Sequence, residues 1–211
     1  MPRSNPLAMA VLVALYERPM HPYEVAQTLR QRAKHESVRL NYGSLYAVVE
    51  SLEKRGFVKA TGTLREGRRP ERTIYAITDD GSREMLDWLT DLIGVPVKEY
   101  PQFMAGLSFV AALDPGDALV ALRARQEVLT FGLAKMRSVI RETHKAGLPR
   151  VFGLESEYEE GQLTAELRFV KALVEDMENG TLDGLEMWHK FHEEGATADL
   201  IEFNFEPEED R

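Results

Sequence analysis

Three arginines stand within a short run, Arg65, Arg68 and Arg69, beside Gly67 and Pro70. Glycine and proline mark a turn, and a turn loaded with guanidinium groups suits contact with phosphates or a narrow minor groove. Upstream, residues 41–56 read as a short helix stopped by Gly56. At about 100° per residue, Leu45, Val48, Val49 and Leu52 fall on one side and must face a core. The opposite side carries Gly43, Ala47, Glu50, Ser51 and Lys54, with Ser44 and Tyr46 on the flanks. Small residues let a backbone come close to a groove. Ser44, Ser51 and Lys54 have the reach for base edges or phosphates, and the Tyr46 hydroxyl can donate to a phosphate. The candidate contact set is therefore Asn41, Tyr42, Gly43, Ser44, Tyr46, Ala47, Ser51 and Lys54 on the helix, with Arg65, Arg68 and Arg69 on the loop. Taken singly, these are also what a solvated helix face and a basic surface loop look like. A helix followed by an arginine-tipped hairpin gives the pattern its specificity.

The elements that must hold this set follow from local signals. A first helix covers about Leu7 to Tyr16, before Pro19. A second starts at Pro22, where a missing N–H costs nothing, and turns Val25, Ala26 and Leu29 inward. Asn41 caps the third helix. Strands near 57–63 and 72–78 flank the basic loop, and Asp79-Asp80-Gly81-Ser82 reads as a break before a fourth helix, about Ser82 to Ile93. The stretch 94–101 reads as a linker. Beyond it, Phe103 to Leu113 is a short apolar segment, and Asp114-Pro115-Gly116-Asp117 opens a long helix reaching about Ala146. Leu119, Leu122, Gln126, Leu129, Leu133, Met136, Ile140 and Thr143 give that helix a heptad-like seam. A second long helix, about Pro149 to Glu178, carries the stripe Leu154, Tyr158, Gly161, Ala165, Phe169, Leu173 and Met177.

Charge divides the chain in the same place. The 211 residues sum to −9, but residues 1–85 hold a net +4 and residues 86–211 a net −13. A basic front joined to an acidic remainder points to a polyanion met by the front alone. The chain has no cysteine, which excludes disulfides, thiolate catalysis and cysteine-ligated metal. The apolar run Leu7–Leu15 is too short to span a bilayer and is followed by no small-residue cleavage site, so a buried first helix in a cytoplasmic protein is expected. No Gly-x-Ser-x-Gly elbow, phosphate-cradling loop or dinucleotide fingerprint is present, so no enzyme is expected. His189 and His192 with Glu186 and Glu193 lie at metal-ligand spacing, though an exposed polar helix face accounts for them, and neither metal nor cofactor is assigned.

Several of these segments resemble the PadR family of bacterial transcriptional regulators. They are Gly43-Ser44-Leu45-Tyr46, then Ser51-Leu52-Glu53-Lys54-Arg55-Gly56-Phe57-Val58, Gly67-Arg68-Arg69-Pro70 with Arg72, and Tyr75-Ala76-Ile77-Thr78-Asp79-Asp80-Gly81. Met20-His21-Pro22-Tyr23-Glu24-Val25 is similar to the family's entry into helix two, with Pro22 where Gly is usual. Glu71 stands in the wing where many members are more basic. The remainder is similar in plan to the longer C-terminal type. The resemblance implies a mainly α protein with a small β-wing. A winged helix-turn-helix would occupy 1–93, a helical dimerisation and effector domain 94–192, and an acidic, disordered tail 193–211. It implies a homodimer made by the C-terminal helices, double-stranded operator DNA as partner, and repression relieved by a small molecule; founding members answer to phenolic acids.

On this reading the dimer interface comprises Leu119, Leu122, Leu129, Leu133, Met136 and Ile140 with Tyr158, Ala165, Phe169 and Leu173, although the first long helix can equally pack its seam on the second within one chain. A two-fold dimer predicts an inverted-repeat operator. Trp88, Tyr100, Phe103 and Phe109 are candidates for lining a pocket for a flat apolar or aromatic effector, against the alternative that they are core. A helical scaffold or adaptor, whose winged helix binds protein, is the rival reading, and retardation of a promoter fragment separates the two.

Overall fold

The computed structural model describes residues 5–34, 37–64 and 72–194. Eight α-helices lie within them: α1 (Pro6–Glu17), α2 (Pro22–Gln31), α3 (Tyr42–Lys54), α4 (Asp79–Gly94), α5 (Gln102–Ser108), α6 (Pro115–Lys145), α7 (Leu154–Asn179) and α8 (Leu185–Glu194). Two strands, β1 (Val58–Leu64) and β2 (Arg72–Ile77), pair antiparallel between α3 and α4. The chain divides into two compact units, residues 1–98 and 99–211.

The first unit is built around one apolar cluster. Leu7, Val11, Leu12 and Leu15 of α1 meet Val25 and Leu29 of α2, Leu45, Val48, Val49 and Leu52 of α3, and Met85 and Trp88 of α4. Each helix is started by a side chain that satisfies an orphan N–H. Asn5 Oδ1 accepts from Leu7 N at 3.1 Å, Asn41 Oδ1 from Gly43 N at 2.9 Å and Thr78 Oγ1 from Gly81 N at 3.0 Å. The hairpin carries a bulge between Ala60 and Gly62, which sharpens its twist. The segment before α2 adds a third edge to it: Met20 and Tyr75 exchange two backbone hydrogen bonds of 3.0 Å each.

Helix α4 begins three residues before the expected Ser82. Asp79-Asp80-Gly81 is its first turn rather than a break, because Thr78 does two jobs. Its Oγ1 caps the helix and also donates to Gly56 O at 2.7 Å, while its N–H donates to Phe57 O at 3.0 Å. Gly81 is pressed so closely on this joint that a Cβ there would lie 2.0 Å from Phe57 O. Glycine is needed for clearance here, and the acidic pair sits where the helix dipole favours it.

In the second unit α6 and α7 form a hairpin. Ala118, Leu122, Leu129 and Leu133 of α6 are buried against Leu167, Val170, Val174 and Met177 of α7. Three ion pairs rung the same two helices: Arg123 with Glu178 at 2.8 Å, Arg125 with Glu166, and Arg137 with Glu160 at 2.8 Å. Helix α7 starts at Leu154, later than expected. Pro149 leads instead into a single 3₁₀ turn, Arg150–Phe152, tied down by Arg150 on Glu157. Gly180, at φ +70°, ends α7. No helix among the described residues is long and apolar enough to cross a membrane. The acidic tail from residue 195 onward lies outside the described residues.

Gly81→Ala drives a methyl group into Phe57 O and the Ile77 side chain. Its midpoint in urea should fall by an amount equivalent to about 1–3 kcal/mol, the usual range for overpacking. Gly132→Ala, in open space on α6, should leave stability unchanged or slightly raised.

Candidate nucleic-acid interface

Burial of Leu45, Val48, Val49 and Leu52 turns the other face of α3 outward. Asn41, Gly43, Ser44, Tyr46, Ala47 and Lys54 are exposed, whereas Tyr42 and Ser51 are half-buried. The helix contacts expected from the sequence therefore lie on one accessible surface, with Ser51 the least available. Glu50 shares that surface and would repel a polyanion locally. Arg65, Arg68 and Arg69 lie outside the described residues. The strands that carry their loop, β1 and β2, lie next to α3 in the chain and in the fold.

Behind the exposed face runs a stack that the sequence did not single out. Tyr42, at the start of α3, lies parallel to Tyr23 at the start of α2, with ring centroids 6.0 Å apart and planes 13° from parallel. Arg30 covers the outer Tyr42 face, 4.6 Å from its centroid, and donates to the Tyr42 hydroxyl at 2.6 Å. Arg72 of β2 stands 6.0 Å from the Tyr23 ring. Two cations and two rings thus tie α2, α3 and the wing together by cation–π attraction. Of the flanking cations, Arg32 is committed to Glu17 at 2.7 Å, and that hydrogen bond holds the Glu17 carboxyl below its ordinary range. Arg39 is exposed. The aromatic–arginine order was visible in sequence only as spacing: Tyr23 and Arg30 are seven apart, two turns of one helix face.

His21 joins these parts. Its Nδ1 accepts from Tyr23 N at 3.0 Å, and the His21 backbone N–H donates to Glu24 Oε2 at 3.0 Å, a reciprocal cap on α2. The ring meets Tyr46 edge-on at 6.1 Å. Partial burial lowers its pKa, the Arg72 charge lowers it further, and Glu24 opposes. A polar cleft of about 280 Å³, lined by His21, Tyr46, Glu50, Thr73 and Tyr75, separates α3 from β2.

This module has close counterparts. Residues 11–87 match the Transcriptional regulator PadR-like family. The likeness to that family lies in this first module. Over 85 residues it is 31% identical to the Mycobacterium tuberculosis protein named Probable transcriptional regulator Rv1176c, covering 40% of this chain and 44% of that one. Over 118 residues it is 25% identical to the Negative transcriptional regulator PadR of Bacillus subtilis, covering 53% of this chain and 60% of that one. The matched segments thus span about half the length of these two curated relatives. The crystal structure of B. subtilis PadR in complex with operator DNA superposes with a TM-score of 0.67 at 16% identity, over 81% of this chain and 97% of that one. The same protein in complex with p-coumaric acid gives 0.65 at 16% identity, over 82% and 98%. At this identity the likeness establishes the fold alone: a winged helix followed by long helices, as in B. subtilis PadR.

The other candidate residues are placed as follows. Leu122, Leu129 and Leu133 are buried on α7 of the same chain, with Leu119 packed against them and Met136 and Ile140 half-buried. Tyr158 and Phe169 are 69% and 50% exposed, Ala165 is exposed and Leu173 is half-buried. Trp88 belongs to the first unit's core, and its indole N–H has no acceptor among the described residues. Phe103 lies in the second unit under the Arg125 guanidinium, 3.8 Å from the ring centroid, and edge-on to Phe169 at 6.3 Å. Tyr100 and Phe109 are exposed. No group of three metal-ligating side chains exists among the described residues.

The cap gives a pH test with a defined sign. The folded state favours neutral His21, so the unfolded chain binds the proton more readily. Stability is fully present above the ordinary histidine pKa and falls as pH drops through the lower folded value. Urea midpoints between neutral and mildly acid pH should show this decline, and His21→Asn, which keeps a capping acceptor without a titrating ring, should flatten it.

Proposed function

We propose that the chain is a DNA-binding transcriptional regulator. As a homodimer it reads an inverted-repeat operator with α3 in the major groove and the arginine loop of residues 65–69 beside it. The observation that carries this reading is the outward face of α3. Gly43, Ser44 and Ala47 leave the backbone open to close approach, and the Arg30–Tyr42–Tyr23–Arg72 stack supplies rigidity and positive charge at its margin. The family's regulators, and the operator complex of B. subtilis PadR, support it. By the same analogy the chain acts in the cytoplasm as a repressor released by a small aromatic effector, and not as an enzyme. B. subtilis PadR is named a negative regulator and has been seen with p-coumaric acid.

For the dimer, the two faces of α7 divide the work. Leu163, Leu167, Val170, Val174 and Met177 hold α6. On the opposite side Leu154, Tyr158, Gly161, Ala165, Phe169 and Ala172 are exposed at spacings of three and four. An apolar stripe of that length left open on a monomer is an association surface. The small residues at its centre allow two helices to approach closely. The interface proposed is therefore this outer α7 stripe, with the α6 leucines supporting it from behind.

Retardation of the chain's own promoter fragment tests the main claim. Binding should weaken steeply with salt, as counterion release requires. Arg68→Ala with Arg69→Ala should lower affinity by roughly ten- to a hundredfold and reduce the log–log salt slope by about two, with the melting temperature unchanged. Equal binding by the double variant removes the loop from the interface. For the dimer, Ala165→Glu with Phe169→Glu should give folded monomers by sedimentation, whereas Leu129→Asp should unfold the hairpin. A dimer that survives the first pair moves the interface elsewhere.

A further inference from the structure

The second unit holds an apolar cavity that neither the operator face nor the α7 stripe uses. It has a volume of about 380 Å³ and is lined by Ser108, Phe109, Ala111, Ala112, Met187, Trp188 and Phe191. One wall is the end of α5 and the 3₁₀ turn Val110–Ala112; the other is α8. The walls are pinned together. Trp188 Nε1–H donates to Leu113 O at 2.9 Å, and one turn later His192 Nε2 lies 2.9 Å from Ala111 O. A carbonyl can only accept, so Nε2 carries the proton. Trp188 also packs against the hairpin core, which anchors α8 to α6 and α7.

These bonds consume the polar groups around the cavity. The indole N–H is engaged, the His192 donor is engaged, and the Ser108 hydroxyl donates to Met104 O at 3.0 Å. No acidic or basic side chain is in the lining. What remains is two benzyl rings, an indole face, two alanine methyls and a methionine. Phe109 is 75% exposed and Met187 is 42% exposed, so the mouth holds apolar surface that folding alone has not covered. Methionine adapts to irregular ligands, and the rings offer stacking and edge contacts. The volume lies at the small end of ligand sites, room for one or two fused rings.

We infer that this cavity is a binding site for a small, uncharged, planar aromatic molecule. A carboxylate would enter a lining with no cation to meet it and would lose its hydration. The site differs from the aromatic set Trp88, Tyr100, Phe103 and Phe109 expected from the sequence, and shares only Phe109 with it. Its service as the effector site rests on the regulatory reading proposed above; its capacity to bind does not.

The full-length chain is titrated with N-phenyl-1-naphthylamine, a neutral probe that brightens in apolar surroundings, and separately with a neutral naphthalene and its carboxylate. The Trp88→Phe variant leaves Trp188 as the only indole of the two. Saturable brightening with one probe per chain, quenching of Trp188, and neutral ligand preferred about tenfold over carboxylate are expected. Ala112→Trp should fill the cavity and weaken binding about tenfold or more, while Gly132→Ala, in open space on α6 outside the lining, leaves it within about twofold. If Ala112→Trp fails to fold by circular dichroism, Ala111→Phe takes its place. Unchanged affinity in the filled variant, equal affinity for the carboxylate, or no saturation would each overturn the site. An own-chain segment or a second copy already occupying the cavity would appear as refusal of the probe and would also overturn it. Promoter retardation is run on the same preparation: a chain that takes the probe but ignores DNA sinks the regulatory reading and leaves the site standing.

Discussion

The burial of one face of α3 fixes everything at the front of the molecule. Four side chains, Leu45, Val48, Val49 and Leu52, sit in the common core of α1, α2 and α4. Because a helix is rigid, their placement dictates which residues look outward. Burying each contributes roughly 1.5–3 kcal/mol, more than any polar contact on the exposed side can return. Ser44, Tyr46, Ala47 and Lys54 are presented as a consequence of what is hidden beneath them. The Thr78 joint and the Met20–Tyr75 exchange then hold the strands β1 and β2 against the same core.

The aromatic–arginine stack adds a second constraint. Tyr42 is half-buried and its hydroxyl already accepts a proton from Arg30. Its first role is to brace α3 against α2. The same stack holds the Arg30 guanidinium over Tyr42 and the Arg72 guanidinium beside Tyr23. Structural bracing and surface charge are here properties of the same four residues, and substitutions in the stack would alter both.

Much of this was legible in the chain itself. The three-and-four spacing of Leu45, Val48, Val49 and Leu52 specified the buried face of α3. Asn41 and Gly56 bounded the helix, and the Gly-Arg-Arg-Pro run falls between β1 and β2, outside the described residues. Two things were not legible, for physical reasons. Asp79-Asp80-Gly81 looks like a turn because those residues favour turns in isolation. It becomes helix only because Thr78 finds Gly56 and Phe57 across the fold, a contact no local pattern announces. The long helices posed the opposite difficulty. Both faces of α7 are apolar, and periodicity alone does not say which face meets α6 and which stays open. The stripe read from Leu154 to Met177 drifts from the open side to the buried side along its length, with Leu173 half-buried and Met177 buried. The stack and the Trp188 clamp join residues distant in the chain, beyond the reach of any spacing rule.

The ionic rungs of the hairpin have a practical corollary. Arg123–Glu178 and Arg137–Glu160 sit at the surface and Arg125–Glu166 is partly exposed; surface pairs are worth about 0–1 kcal/mol and are screened by electrolyte. Cohesion between α6 and α7 comes instead from leucine, valine and methionine, which screening does not weaken. Concentrated electrolyte therefore leaves the α6–α7 hairpin's shape intact while screening any contact that the basic front makes with a polyanion.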